Sequence, residues 1–390
     1  MSVDLTNEQI LSIYKLENWY NGTGDQVIGV AGKPGTGKTF LIRYFIERIG
    51  LNMNEVLFLA YMGKAVTVMQ KNGLPAQTVH SAIYNYVKKI ARDEDGHIIF
   101  KENGKPKTVM GFELKDHLPK KIKLIVIDEA SMINKQTGED ILSFGIPVIT
   151  IGDLNQLPPV MGKPFFLVNP EINLTQIMRQ AEGNPIIWME NEILDGRGLR
   201  YGVYGNSAVI PRRDLTDFQI KNADIILTGT NKLRYTINCY CREALRGIKK
   251  LEYPHVNEKV ICRKNNWDRC IDGFYLTNGM TGFVDCYHHN SFNKRTAKMD
   301  FRPDFLKKTY KNVEFDYKHM YAKPNENEDN SYGFVYDKME YAYAITVHSS
   351  QGSTYQNVLF LYEDFMSVED NKKLLYTAIS RASDSVIVVM

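Results

Sequence analysis

Residues Gly32, Lys33, Pro34, Gly35, Thr36, Gly37, Lys38 and Thr39 spell GxxxxGK[ST]. The glycines let backbone N–H groups curl around phosphate oxygens. The segment stands between an apolar run, VIGVA, and a run of helical periodicity, FLIRYFIERI, whose amino end adds a positive dipole. Lys38 would neutralise the β- and γ-phosphates of a nucleoside triphosphate, and Thr39 would ligate Mg²⁺. A second apolar run, Leu124–Ile127, ends in Asp128 and Glu129. There Asp128 would hold the Mg²⁺ and Glu129 would orient and deprotonate the attacking water. Gln156 lies in Gly152-Asp153-Leu154-Asn155-Gln156-Leu157-Pro158-Pro159-Val160, just beyond another apolar run. A side chain past the carboxyl end of a parallel strand can reach a γ-phosphate or its water. The chemistry these residues dictate is ATP hydrolysis.

Such residues need strands that end together. Runs at Val27–Val30, Val56–Leu59, Leu124–Ile127, Val148–Ile151, Ile225–Leu227, Val358–Leu361 and Val386–Val389 are nearly all apolar. That is the pattern of strands covered on both faces in a parallel sheet. Longer segments of helical periodicity, such as Phe40–Ile49, lie between them. The alternation predicts α/β architecture. The runs fall before about residue 180 or after about residue 220, which predicts two lobes. No internal repeat is evident.

Two stretches break the alternation. Residues 86–121 hold two β-like runs around Asn103-Gly104, a hairpin signal, and 86–123 carry ten basic against six acidic residues. Residues 285–338 are rich in Tyr, Phe and Lys and predict a small β-rich insertion, with Pro324–Asn330 as a loop.

Composition narrows the class. A chain of 390 residues suits two core domains plus insertions, and a net charge of +3 confines any polyanion-binding surface to a local patch. The five cysteines are odd in number and form no CxxC pair, which points to reduced thiols in the cytoplasm. A zinc site from Cys262, Cys270 and Cys286 with His288 or His289 fits no common spacing. The amino terminus lacks a signal pattern, no apolar run approaches about 18 residues, and neither end carries a lipidation motif. No membrane association is expected.

Further stretches, in order along almost the whole chain, resemble the superfamily 1 helicases, within them the 5′→3′ branch (superfamily 1B) typified by RecD and Dda. Leu5-Thr6-Asn7-Glu8-Gln9 looks like the adenine-reading Q motif. Leu59–Ala65 is similar to motif Ia, with Met62 where Thr or Ser is usual, and Gln77–Ser81 to the TxH element. Leu174–Gln180 resembles motif IV, Ala344–Thr354 motif V, and Tyr376–Ala382 motif VI. Thr228–Asn231 and the NGxxG turn Asn278–Gly282 also match in position.

The resemblance implies two RecA-like P-loop lobes. Lobe 1A would span 1–85 and 122–185, and lobe 2A would span 186–284 and 339–390. A pin-bearing insertion 1B would span 86–121 and an SH3-like insertion 2B would span 285–338. It implies nucleotide contacts from Gln9, Gln351 and Gly352, and charge-stabilising arginines at Arg179 and Arg381. It implies strand contacts from Lys64, Thr78 and His80 on lobe 1, and from Thr230, Asn231, Thr346 and His348 on lobe 2. No nuclease or partner-binding appendage is expected.

The function implied is an ATP- and Mg²⁺-dependent DNA helicase, 5′→3′, acting as a monomer on single-stranded DNA and its junctions with duplex in a bacterial or phage-infected cell. Replication or repair proteins would be its partners. A translocase that strips proteins with weak unwinding is one alternative. A nucleotide-dependent nucleic-acid-binding scaffold is another, and Glu129 and the two arginines argue against it.

Overall fold

The structure is a computed structural model. It describes all residues except 1–4, 23, 91–96, 99, 101–103, 105, 107, 159–163, 177–182, 250–252, 273, 289–295, 317–319 and 321–336.

The first lobe is a six-stranded sheet. In spatial order its strands are Ala76–Thr78, Val56–Ala60, Leu124–Asp128, Val148–Gly152, Val27–Gly32 and Ile172–Leu174, and every pairing is parallel. Alternate residues of one strand enter different cores. Phe58 and Val126 pack with Leu41, Phe45 and Ile46, whereas Leu57, Leu59, Ile125 and Ile127 pack with Val79, Ile83 and Ile141. Both faces are dry, which is why these strands read as unbroken apolar runs. Strands 124–128, 148–152 and 27–32 are neighbours and point the same way, so their carboxyl ends bring Asp128, Asp153 and the glycine-rich loop to one edge.

The second lobe repeats the plan. Its order is Ala344–Thr346, Ile225–Thr228, Tyr355–Leu361, Ala382–Val389, Ser207–Ile210 and Gly202–Tyr204, parallel except for the last pair. Leu227, Phe360 and Val388 face one core; Ile226, Leu359 and Val389 face the other. All seven expected apolar runs are strands of these two sheets.

Each departure from the alternation is a separate β unit. Tyr84–Ile90 pairs antiparallel with Thr108–Leu114, and the bridge Phe100 to Pro106 continues toward Gly104, whose φ of 73° is that of a tight turn. Asn103 lies outside the described residues.

The second unit is a five-stranded sheet, antiparallel in every pairing, ordered Tyr310–Asp316, Thr296–Pro303, Thr281–His288, Lys259–Cys262, Met339–Tyr341. The expected boundary at 285 therefore falls inside a strand. The short apolar run Val260–Cys262 looks like a lobe strand in sequence, but it pairs antiparallel and its Val260 and Cys262 join Val284, Phe301 and Phe315 in a separate core. Residues 324–330, expected as a loop, lie outside the described residues.

This β unit rests on the first lobe as well. A Cβ at Gly63 would collide with the side chain of Thr277, so the approach requires glycine there. No helix among the described residues is long and apolar enough to cross a membrane.

Candidate active site

Gly35 and Gly37 hold φ of 79° and 81°, the left-handed region that favours glycine, and Gly37 caps the helix Lys38–Arg48. Lys38 Nζ donates to the carbonyls of Gly32 at 2.6 Å and Lys33 at 2.9 Å. Burial lowers the pKa of the Lys38 amine; Asp153, then Asp128 and Glu129 oppose that, and Arg381 works with it. Those groups therefore share one electrostatic neighbourhood. Gln9 closes a capping box with Thr6, and its amide lies where a Cβ on Gly37 would stand 2.8 Å away, so the expected adenine reader abuts the loop.

Asp128 accepts from the backbone N–H of Glu129 at 2.9 Å. Burial raises the pKa of both carboxyls, and for Glu129 the nearby Arg381 opposes it. Glu129 holds φ of 51°, a strained conformation for a residue with a side chain, of the kind that clusters at functional sites. Among the described residues no group of three or more His, Cys, Asp or Glu side chains could hold a metal ion on its own. Thr39 and Asp128 nonetheless suit Mg²⁺, which takes one or two protein oxygens and completes its shell with nucleotide phosphates and water. Such a cation would also offset the burial of Asp128.

Arg381 enters from the second lobe. It is 4% exposed, and its guanidinium donates to Thr377 O at 3.2 Å, Ser353 O at 3.4 Å and Ser380 Oγ at 3.1 Å. All three partners are neutral, and no ion pair to Arg381 exists among the described residues. A buried charge left unpaired is costly. Glu129 and Glu190 feel its charge without bonding it, and an incoming anion would pair with it directly.

Among the described residues, Gln156 Oε1, Gln351 Oε1 and Ser131 Oγ are buried without a hydrogen-bond partner. Buried polar atoms are normally satisfied, so these suit a hydrogen-bonding guest. Gln351 also donates to Leu157 O at 2.9 Å, while Gly352 turns at φ of 69° against Ala65. Arg179 lies outside the described residues.

One cleft residue carries no sequence signal. Glu190, on the helix Pro185–Leu194, is 3% exposed. Its carboxyl is pushed up to about 8 by burial, then by Asp153, against the pull of Arg381, Lys33 and Lys38. The neighbouring Asn191 accepts from Lys33 Nζ at 2.7 Å, so this helix lies over the glycine-rich loop.

The expected strand contacts divide into three places. Thr78 and Ser81 line a groove of about 350 Å³ whose far wall is Phe274, Tyr275 and Thr277. His80 stands among Tyr61, Tyr84 and Phe112, with ring centroids 5.6, 5.6 and 5.5 Å away. On lobe 2, Thr346 and His348 occupy a turn beside Ser349, whose hydroxyl accepts from Arg263 at 3.0 Å.

Thr230 caps the helix Asn231–Tyr240, and its hydroxyl and N–H both bond the Glu363 carboxylate. Lys64 does not line that groove. Its amine donates to Tyr355 OH at 2.6 Å and Thr281 Oγ at 3.1 Å, joining lobe 1 to lobe 2 and to the β unit.

The two lobes share a short repeat. Thr78-Val79-His80-Ser81 and Thr346-Val347-His348-Ser349 are identical, and each follows the edge strand of its lobe. In both, the Thr hydroxyl accepts from the Ser N–H at 3.3 Å and lies 2.9 Å from the Ser hydroxyl.

Comparison with known proteins adds the following. The profile of an AAA domain matches residues 19–208, and that of a UvrD-like helicase C-terminal domain matches 341–389. The ATP-dependent RecD2 DNA helicase of Deinococcus radiodurans is 26% identical over 396 residues, covering 93% of this chain and 46% of that protein. An uncharacterized protein of Methanocaldococcus jannaschii is 25% identical, covering all of this chain and 38% of its own length. The chain thus spans less than half the length of these curated relatives. The solved structure of a Bacteroides Pif1 bound to ssDNA is similar at a TM-score of 0.57 and 19% identity, over 99% of this chain and 92% of that one.

Proposed function

We propose that this chain, RecD- and Pif1-like in sequence and fold, is an ATP-hydrolysing motor that moves 5′→3′ along single-stranded DNA and separates duplex at junctions. One observation carries the proposal. Arg381 from lobe 2 is buried, without a salt bridge among the described residues, inside the electrostatic neighbourhood of Lys38 and Glu129 from lobe 1. An arginine so placed stabilises charge on a transferring phosphoryl group and can be worth about 10³–10⁵ in rate. Because the two sides of the cleft belong to different lobes, hydrolysis is coupled to how the lobes sit.

In this reading Lys38 binds the β- and γ-phosphates, Glu129 takes the proton of the attacking water, and Gln156 orients that water. Mg²⁺, held by Thr39 and Asp128, would supply charge neutralisation of the phosphates. Arg179 is assigned with Arg381 by its motif. The strand lies in the groove beside Thr78 and passes to the turn at Thr346, with His80, Thr230, Asn231 and His348 along its path. Hydroxyl and backbone groups that touch phosphates suit a motor indifferent to sequence. The 84–114 hairpin acts as the splitting pin and the five-stranded unit as its SH3-like companion. The protein works as a monomer in the cytoplasm, alongside replication or repair proteins.

The test is strand displacement on 5′-tailed and 3′-tailed duplexes, with ATPase assayed alongside. The 5′-tailed duplex should be opened, and single-stranded DNA should stimulate turnover. Glu129→Gln should bind ATP yet barely cleave it. Turnover indifferent to DNA would refute the motor, and opening of only the 3′-tailed duplex would reverse the polarity.

A further inference from the structure

The lobes meet at a loop whose grip no step above uses. We infer that Tyr376 and Asp153 form a clasp that holds the 153–157 loop of lobe 1 on lobe 2, making Tyr376 a positioning residue for Gln156. The inference rests on the hydrolytic reading of this cleft and names a residue on which that chemistry depends.

Asp153 follows the strand Val148–Gly152 and is 2% exposed. A carboxylate so buried is tolerated only with hydrogen bonds at its oxygens. Its Oδ1 accepts from Asn155, from the backbone at 3.0 Å and the side chain at 3.2 Å. Its Oδ2 accepts from the hydroxyl of Tyr376 at 2.7 Å. Tyr376 belongs to the helix Val368–Ile379 of lobe 2, and its ring is fully buried in that lobe's core. Burial, then the charges of Asp153 and Glu190, push its hydroxyl far above the ordinary tyrosine range, so it stays a donor at any working pH.

The other end of the loop is gripped by the same lobe. Leu157 N–H donates to Thr377 Oγ at 2.9 Å, and Leu157 O accepts from Gln351 Nε2 at 2.9 Å. Gln156 therefore sits between two anchors on lobe 2, although its own chain belongs to lobe 1. Thr377 also offers its carbonyl to Arg381 at 3.2 Å. One helical turn, Tyr376–Thr377, thus sets the water-orienting amide and the arginine together.

Without the Tyr376 hydroxyl, two things change. The loop loses an anchor, and a misplacement of about 1 Å at a reacting centre can cost about 100-fold in rate. The Asp153 charge, the leading electrostatic influence on Lys38, also loses its strongest donor and is left facing the phosphates. Both effects slow the chemical step; neither removes a contact to ATP.

Tyr376→Phe in the full chain deletes only the hydroxyl. The expected result is a fall of about tenfold or more in kcat of DNA-stimulated ATP hydrolysis, with KM for ATP changed by less than about twofold. The Tyr376→Phe/Gln156→Ala double variant should lose less than the product of the two single losses, because the anchor acts in part through Gln156. An unchanged kcat, or losses that multiply in full, overturns the clasp.

Hydrogen exchange supplies an arm independent of activity. Backbone amides of 153–157 should exchange about tenfold faster in Tyr376→Phe while those of strand 56–60 keep their protection. Unchanged protection at 153–157 overturns the clasp. Wild-type protein without DNA-stimulated turnover would instead sink the motor reading and leave the exchange result to judge the clasp.

Discussion

The two Thr-Val-His-Ser turns have the same sequence and the same internal hydrogen bonds, yet they sit in opposite surroundings. In lobe 1 the turn at Thr78 is flanked by rings: His80 with Tyr61, Tyr84 and the half-exposed Phe112. In lobe 2 the turn at Thr346 is flanked by charge. Ser349 is held by Arg263, and Arg263 and Arg234 converge on Glu340. The local sequence sets the backbone, because a Thr hydroxyl satisfies the free N–H groups that begin a helix. What each turn can grip is set by neighbours that arrive from far along the chain. In the proposed motor, lobe 1 would stack on a base and lobe 2 would meet a phosphate.

The sharpest way to break this contrast is at Glu340. Its carboxyl is 20% exposed and faces two arginines at 14% and 15%. Burial raises its pKa, but the charges of Arg263 and Arg234 override that and hold it at about 2. Glu340→Gln leaves two nearly buried guanidiniums unpaired, which should cost about 3 kcal/mol in chemical denaturation. The same pair makes wild-type stability pH-dependent. The contribution is whole above the ordinary value of 4.5 and is lost as pH falls toward about 2. Phe112→Ala, on the hairpin strand beside the other turn, should cost under about 1 kcal/mol, because the ring is half exposed. Equal losses would mean that the charged turn is no more a structural keystone than the aromatic one.

Binding should show the reverse order. Phe112→Ala is expected to weaken affinity for an oligothymidine by about 1–3 kcal/mol, the worth of one stacked base. The slope of log affinity against log salt should not move, since no phosphate contact is lost. A fall in that slope would show that lobe 1 grips by charge after all.

Sequence made legible what lies in one contiguous stretch. The phosphate loop, Asp128 and Glu129 need only a few consecutive residues at a strand's end, and the seven long apolar runs advertised their two-sided burial. The three-residue edge strands Ala76–Thr78, Ile172–Leu174, Gly202–Tyr204 and Ala344–Thr346 were invisible. They are too short for a period and exist because a longer neighbour pairs with them.

Partners distant in the chain were equally hidden. Asp153 and Tyr376 are 223 positions apart. Glu190 lies in an ordinary helix, with nothing in its neighbours to announce a cleft. Lys64, an expected strand contact, has partners that its own segment does not announce: beside the close approach of Gly63 to Thr277, Thr281 and Tyr355 take up its amine.

The smallest effect asks whether the two turns remain equivalent in the one property their surroundings should leave alike. Burial alone lowers the pKa of both His80 and His348. Each folded imidazole therefore binds a proton more weakly than in the unfolded chain. The unfolded state takes up more protons below the ordinary value of 6.5, so stability is whole above that pH and declines as pH falls. Rings surround His80, but desolvation acts on charge regardless of what displaces the water. His80→Gln and His348→Gln should thus flatten the dependence of denaturation midpoint on pH between 7 and 5.5 by similar amounts. Flattening by His80→Gln alone would mean that the Arg263–Glu340–Arg234 network, or water beside it, compensates a charge at His348, and the two turns would then differ in electrostatics as well as in what they hold.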